Sequence, residues 1–304
     1  MPTRGYFDRL ANLSGRTAVI IGGGAGIGRG ISLALAEAGV DLAVCDIDEA
    51  SLKETCEKAR AFGVKVVSAA ADATVTDQLG RFFDLVEREK PQGIDILVNV
   101  VGGVKMRAFA ESRREDWQSD IHRNYGYALE SMHRAIPMMR KRGGGSMINF
   151  TTIEAHRGAA SFAVYAGAKA GLMNFTRALA VELAAERIRV NCLAPDTTPS
   201  KGNDQAVTKE LQAANAKLTR EQVKKMWALY VPRGVPPSVE ELAKAVLFLA
   251  SDLSSAITGI TLHVDAGTNA SMGFLRWPYN SGWLPTATAG AAAQLFPVER
   301  LGEV

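Results

Sequence analysis

No apolar run in the chain approaches the roughly 18 consecutive residues that a membrane-spanning helix requires. The opening stretch, MPTRGYFDRLANLSGR, lacks the apolar core of a secretory signal. The expected setting is the cytoplasm, with no membrane partner. Cysteine is scarce: Cys45, Cys56 and Cys192 are an odd number with no close pairing, which points away from a disulfide-built scaffold. Cys45 and Cys192 sit in apolar runs and read as buried thiols. Histidine is nearly as scarce. His122, His133, His156 and His263 form no metal-like spacing with the cysteines, so no metal is expected. Excess charge is missing too. A net charge of +3 over 304 residues, with basic clusters no longer than that in MRKRG (139–143), gives no nucleic-acid footprint.

What the chain does have is alternation. Strand-like runs appear as TAVIIGG (17–23), DLAVCDID (41–48), VKVVSAAAD (64–72), DILVNVVGG (95–103), GSMINFTT (145–152), IRVNCLAP (188–195) and GITLHVD (259–265). Helical patterns fall between them, over 26–38, 49–62, 76–89, 114–140, 161–185 and 239–250. In the first of these, Ile27, Ile31, Leu35 and Ala38 form one stripe. Nearly continuous apolar strands alternating with helices predict an α/β fold, a parallel sheet covered on both faces. No linker divides it, so 1–272 reads as one domain. Residues from about 199 to 237 leave the pattern. They pass from polar TPSKGNDQ to Met226, Trp227, Leu229, Tyr230 and Val231, and read as a helical lid insert. Residues 273–304 read as a C-terminal extension. Its Phe274, Trp277, Tyr279 and Trp283 need cover, so the extension is either weakly ordered or packed on a neighbouring subunit.

Two stretches carry chemistry. The first is IGGGAGIGRG (21–30), in which Gly22, Gly26 and Gly28 follow a strand and open a helix. Glycine permits a tight turn and close backbone approach to a phosphate, which the helix N-terminus would attract. Asp46 ends the second strand. A carboxylate there accepts hydrogen bonds from the adenosine ribose and repels a 2′-phosphate. With Ala25 and Ile47 beside it and no cation, NAD is expected over NADP. The second stretch is FTTIEAHRGAASFAVYAGAK (150–169). Tyr165 and Lys169 lie four apart, one helical turn from each other. A positive charge at Lys169 would lower the Tyr165 pKa, as suits a general acid–base.

Together these pieces resemble the short-chain dehydrogenase/reductase family, classical type. The resemblance covers about residues 14–268. It rests on GGGAGIG (22–28), Asp46, Asp72 in AADAT, DILVN (95–99), Asn124, INFTT (148–152), YAGAK (165–169), RVNCLAP (189–195), PRGVPPSVEELAKAVLFLASD (232–252) and GITLHVDAG (259–267). It implies one doubly wound Rossmann-fold domain with a parallel seven-stranded sheet, assembled as a homotetramer or homodimer. It implies a catalytic set of Asn124, Thr152, Tyr165 and Lys169. Tyr165 is the acid–base, Lys169 holds the nicotinamide ribose, Thr152 polarises the substrate oxygen, and Asn124 kinks a helix and holds a relay water. The implied cofactor site comprises Gly22, Gly26, Ile27, Gly28, Asp46, Asp72, Asn99, Tyr165, Lys169, Pro195 and Ser200. The reaction expected is NAD-dependent interconversion of a secondary alcohol and a ketone, with oxidation favoured. The substrate is a small molecule. Met226, Trp227, Leu229 and Tyr230, with Val104 and Met106, suggest an apolar pocket for a hydrophobic or cyclic skeleton.

Four positions depart from the family pattern. Ile21 and Val100 replace polar residues that link the glycine loop to the fourth strand, and an apolar contact between them would compensate. Asp196 replaces the glycine after Pro195, where it would alter cofactor affinity or meet a polar substrate. Ser200 stands where the family has a threonine. These departures keep open a catalytically impaired cofactor-binding partner protein. A further alternative is an NADPH-dependent 3-oxoacyl reductase, against which Asp46 argues.

Overall fold

A computed structural model describes residues 5–199, 213, 216–276 and 282–285. Seven strands form one parallel sheet: β1 (Thr17–Ile21), β2 (Asp41–Asp46), β3 (Val66–Ala70), β4 (Ile96–Asn99), β5 (Gly145–Phe150), β6 (Ile188–Pro195) and β7 (Thr261–Val264). Their order is β3-β2-β1-β4-β5-β6-β7, and every pairing is parallel. The chain winds outward from β1 to β3, then returns to lay β4 on the other side of β1. That reversal opens a crevice at the carboxyl ends of β1 and β4, where ligands bind in such sheets. β1 and β4 are buried along their whole length, as their uninterrupted apolar sequences require.

The helices are α1 (Tyr6–Ala11), α2 (Gly26–Glu37), α3 (Glu49–Arg60), α4 (Thr76–Glu89), α5 (Arg114–Ile121), α6 (Tyr127–Arg142), α7 (Ala163–Leu183), α8 (Arg220–Tyr230) and α9 (Val239–Ala250). Leu79 and Phe82 of α4, Met132 of α6 and Leu172 of α7 pack on one face of the sheet. Ile31 and Leu35 of α2, Leu52 of α3 and Leu242 of α9 pack on the other. Helices on both faces make the sheet doubly wound. No described helix is long and apolar enough to cross a membrane.

The helix expected over 114–140 is interrupted at Asn124, where the resemblance implied a kink: a π-helical turn, His122–Gly126, separates α5 from α6. The extension begins with an antiparallel hairpin, β8 (Phe274–Arg276) and β9 (Trp283–Pro285), and this part packs on its own chain against α8. Arg276 donates to the Pro232 carbonyl at 2.8 Å and lies over the Trp283 ring, 5.5 Å from its centroid. Trp277, Tyr279, Ser200 and most of the expected insert before α8 lie outside the described residues.

Candidate active site

The glycine loop between β1 and α2 is built close to its surroundings. Gly22 (φ +86°) and Gly26 (φ +51°) take left-handed backbone, which favours glycine. A Cβ at Gly28 would stand 1.8 Å from the Gly22 carbonyl oxygen. The amides of Gly22 and Gly23 donate to the Cys45 carbonyl at 2.9 and 3.1 Å, tying the loop to β2. Ala25 gives α2 no side-chain cap, so the N–H groups of the first turn, Ile27 and Gly28 among them, receive no acceptor from the capping residue. Asp46 Oδ2 accepts from Gly24 N at 2.8 Å, and Oδ1 accepts from Asp48 N at 3.1 Å. Each oxygen keeps a further acceptor position. Ile47 beside it is 71% exposed.

One cation near this loop escaped the sequence reading. Arg29 donates to Gly24 O (3.1 Å), Thr55 Oγ1 (2.8 Å) and Ser51 O (3.2 Å), and pairs with Glu54 at 2.8 Å. It buttresses the loop, and Glu54 balances its charge. Asp72 shapes the turn after β3: its Oδ1 accepts from the amide and hydroxyl of Thr74 at 2.8 and 2.7 Å.

Asn99 stands at the end of β4, fully buried. Its Oδ1 accepts from Ser131 at 2.6 Å and its Nδ2 donates to Asn149 at 2.9 Å. Asn149 in turn donates to Thr176 at 2.9 Å. The Asn99 side chain therefore joins helices to the sheet. The expected Ile21–Val100 side-chain contact is not formed. Successive strand residues point to opposite faces: Ile21 packs on the α4–α6–α7 side and Val100 on the α2–α9 side. The two are joined by backbone, Val100 N to Ile21 O at 3.0 Å.

The acid–base residues converge at the same end of the sheet. Asn124 lies in the π turn, fully buried. Its Oδ1 accepts from Gly103 N at 3.0 Å, while Nδ2 donates to Gly103 O and Asp120 O, both at 2.9 Å. Tyr127, which the sequence reading missed, donates to Val101 O at 2.7 Å. The two side chains clamp the loop after β4. A Cβ at Gly102 would fall 2.9 Å from Asn124 Oδ1 and 3.0 Å from Lys169 Nζ, so Asn124 and Lys169 flank one point. Lys169 is buried on α7 and donates to Phe150 O at 2.8 Å. Thr152, also buried, follows β5, and its hydroxyl lies beside the half-buried Tyr165.

The electrostatics correct one expectation. The Tyr165 pKa is not lowered. Burial first, and the Glu154 charge after it, push it up to about 12 against the opposing effect of the Thr152 hydroxyl. The Lys169 ammonium is engaged by Phe150 O, and burial lowers its pKa to about 8. Burial therefore favours the acid form of Tyr165.

Pro195 ends β6, beside Val264 of β7. Asp196 is buried, 8% exposed, and burial raises its pKa. Met226 of α8 is 44% exposed, while Trp227 and Tyr230 are half-buried with rings 5.7 Å apart. Val104, Phe109, Trp117 and Phe162 line a small cleft beside Tyr165.

Residues 22–269 match the family described as enoyl-(acyl carrier protein) reductase. The chain belongs to the short-chain dehydrogenase/reductase family. It is similar to the 3-oxoacyl-[acyl-carrier-protein] reductase FabG of Chlamydia pneumoniae, 34% identical over 84% of this chain and 97% of the relative. Among solved structures it resembles 7 alpha-hydroxysteroid dehydrogenase complexed with NADH and 7-oxo glycochenodeoxycholic acid (27% identity, TM-score 0.76, 87% and 98% of the two chains). It also resembles carveol dehydrogenase from Mycobacterium avium in complex with NAD (27% identity, TM-score 0.74, 84% and 98%). As a short-chain dehydrogenase/reductase, this chain is an NAD(P)-dependent oxidoreductase. A glycine loop packed so tightly on the start of α2 that Gly28 has no room for a Cβ, a helix N-terminus without a side-chain cap and the spare acceptor positions of Asp46 fit a nicotinamide dinucleotide.

Proposed function

We propose that this short-chain dehydrogenase/reductase uses NAD to interconvert a secondary alcohol and a ketone on a hydrophobic or cyclic skeleton. Asp46 carries the cofactor choice. Its carboxylate is fixed by Gly24 and Asp48 at the end of β2, where a 2′-phosphate would meet like charge. Gly22, Gly26, Ile27 and Gly28 would hold the diphosphate through backbone N–H groups, and Lys169 the nicotinamide ribose. Asp72, the backbone of Asn99, Tyr165, Pro195 and Ser200 would complete the site.

A bound nicotinamide supplies hydride exchange with the carbinol carbon. Tyr165 does the proton work. As a phenol, with its pKa pushed up to about 12, it gives a proton to the forming alkoxide during reduction. As a phenolate it takes the alcohol proton during oxidation. Thr152, on the same hydroxyl, would polarise the substrate oxygen. Asn124 and Lys169, anchored on Gly103 and Phe150, would complete the proton path. The same reading includes a cytoplasmic setting, consistent with three free buried cysteines. It also includes a homodimer or homotetramer, in which a second copy would cover Val181 of α7, 80% exposed.

The likeness to the Chlamydia reductase supports a second reading, reduction of a 3-oxoacyl carrier substrate with NADPH. Steady-state rates on a panel of cyclic secondary alcohols with NAD and NADP, beside a 3-oxoacyl thioester with NADH and NADPH, separate the two. The first reading expects NAD-dependent oxidation of a panel alcohol. Turnover of the thioester alone, with NADPH, would replace it by the second. No turnover of either would leave the chain as an impaired partner protein.

A further inference from the structure

Asp196 is the residue that the acid–base scheme leaves unused. Its Oδ1 accepts from Thr197 N at 2.6 Å. Its Oδ2 is buried and has no hydrogen-bond partner. Thr268 lies beside the carboxylate, but its one hydroxyl proton goes to the Asp265 carbonyl at 2.9 Å. A buried carboxylate oxygen without a donor is costly, by about 1–3 kcal/mol or more for a charged group, and its presence points to a ligand that supplies the donor.

The surroundings say what kind of donor. Arg157 forks onto Glu154, with Nε to Oε2 at 3.0 Å and Nη2 to Oε1 at 2.7 Å. Its Nη1 keeps its protons. Arg157 and Asp196 feel each other's charge but do not close to an ion pair. Glu154 is tied to the reacting end of the site, because its amide donates to Thr152 Oγ1 at 3.3 Å. Tyr230, the last residue of α8, lies within electrostatic reach of Asp196. Hydrogen bonds thus link Thr152 to Glu154 and Glu154 to Arg157, and Arg157 and Tyr230 both stand near Asp196.

We propose that Asp196 and Arg157 form a specificity subsite for a second hydroxyl group on the substrate. A hydroxyl donates to Asp196 Oδ2 and accepts from Arg157 Nη1, which satisfies both groups. A hydroxyl can serve both groups because it donates and accepts, which an ammonium cannot do, and a carboxylate would be repelled by Asp196 and Glu154. The substrate class is therefore a diol or a hydroxyketone on the cyclic skeleton, rather than a bare hydrocarbon alcohol. The inference rests on the Tyr165 reading for the reaction, but the subsite is readable by binding alone.

The test compares cis-cyclohexane-1,2-diol with cyclohexanol, by calorimetric titration with and without NAD and by steady-state kinetics. The wild type is expected to favour the diol at least about 10-fold in affinity and in kcat/KM, as loss of one charge-assisted hydrogen bond implies. Asp196→Ala abolishes the preference, with cyclohexanol and NADH binding changed less than about threefold. Asp196→Asn preserves volume and can accept from Thr197, but places an amide donor at the Oδ2 position. It also loses most of the preference, which guards against misfolding of the alanine variant. Equal binding of the two probes, or binding of neither, overturns the subsite. A preference in binding that Asp196→Asn removes, with no turnover of either probe, sustains the subsite and overturns the alcohol-oxidation reading instead.

Discussion

Replacing Gly28 by alanine puts the glycine-loop argument under direct stress. The new Cβ would lie 1.8 Å from the Gly22 carbonyl oxygen and 2.9 Å from the Gly23 Cα. Both neighbours are backbone, so no side chain can rotate away. The loop and the first turn of α2 must separate by roughly 1 Å, enough to misalign a phosphate contact. Loss of one charge-assisted N–H bond costs about 1.5–3 kcal/mol, or roughly 10- to 100-fold in NADH affinity. The assay is NADH titration by nicotinamide fluorescence, with far-UV circular dichroism to confirm that the sheet is intact. Gly171→Ala on α7 is the control, because its Cβ meets no heavy atom within 4 Å. Relief of glycine's conformational freedom should raise stability there by about 0.4–1 kcal/mol, with NADH affinity unchanged. If Gly28→Ala bound NADH as tightly as the wild type, the loop would not be the diphosphate cradle.

Tyr165→Phe removes the acid–base proton while keeping the ring. We expect kcat/KM to fall by about 10²- to 10⁴-fold and NADH affinity to stay within a few-fold; near-normal turnover would take Tyr165 out of the chemistry. Lys169→Met tests the electrostatics through stability. The folded pKa is about 8 against an ordinary 10.5, so between those pH values the unfolded chain binds more protons at this site. The lysine's contribution therefore increases from pH 8 to pH 10.5 and is lost as pH falls through 8. Relative to the methionine variant, the wild type should gain roughly 3 kcal/mol across that window, measured by urea unfolding. Parallel curves would contradict the burial argument.

Much of the fold was legible because local and tertiary demands agree. Runs such as AVII (18–21) and ILVN (96–99) are buried on both faces, which periodicity can signal. The Asn124 motif implied a kink in the long helix but not its form. A π turn at His122–Gly126 differs from an α turn by one hydrogen-bond register, which leaves no mark in apolar spacing. The positions of the catalytic set came from a motif, but their electrostatics did not. A spacing of four puts Tyr165 and Lys169 one turn apart, yet it does not say that Phe150 O takes the ammonium or that burial dominates the phenol. The Ile21–Val100 contact failed for a simpler reason: adjacent-strand positions one register apart face opposite sides. Glu154 and Arg157 were invisible, because their importance depends on which side of the sheet the segment after β5 turns toward.

The claim on which the account turns is that Asp46 and the glycine loop form an NAD site. Titration of the purified protein with NADH and with NADPH, followed by nicotinamide fluorescence, tests it most directly. The account predicts NADH binding at least about 10-fold tighter than NADPH, since a 2′-phosphate beside the Asp46 carboxylate meets unfavourable charge. Equal affinity, or a preference for NADPH, would contradict the role given to Asp46. Binding of neither would contradict the site itself.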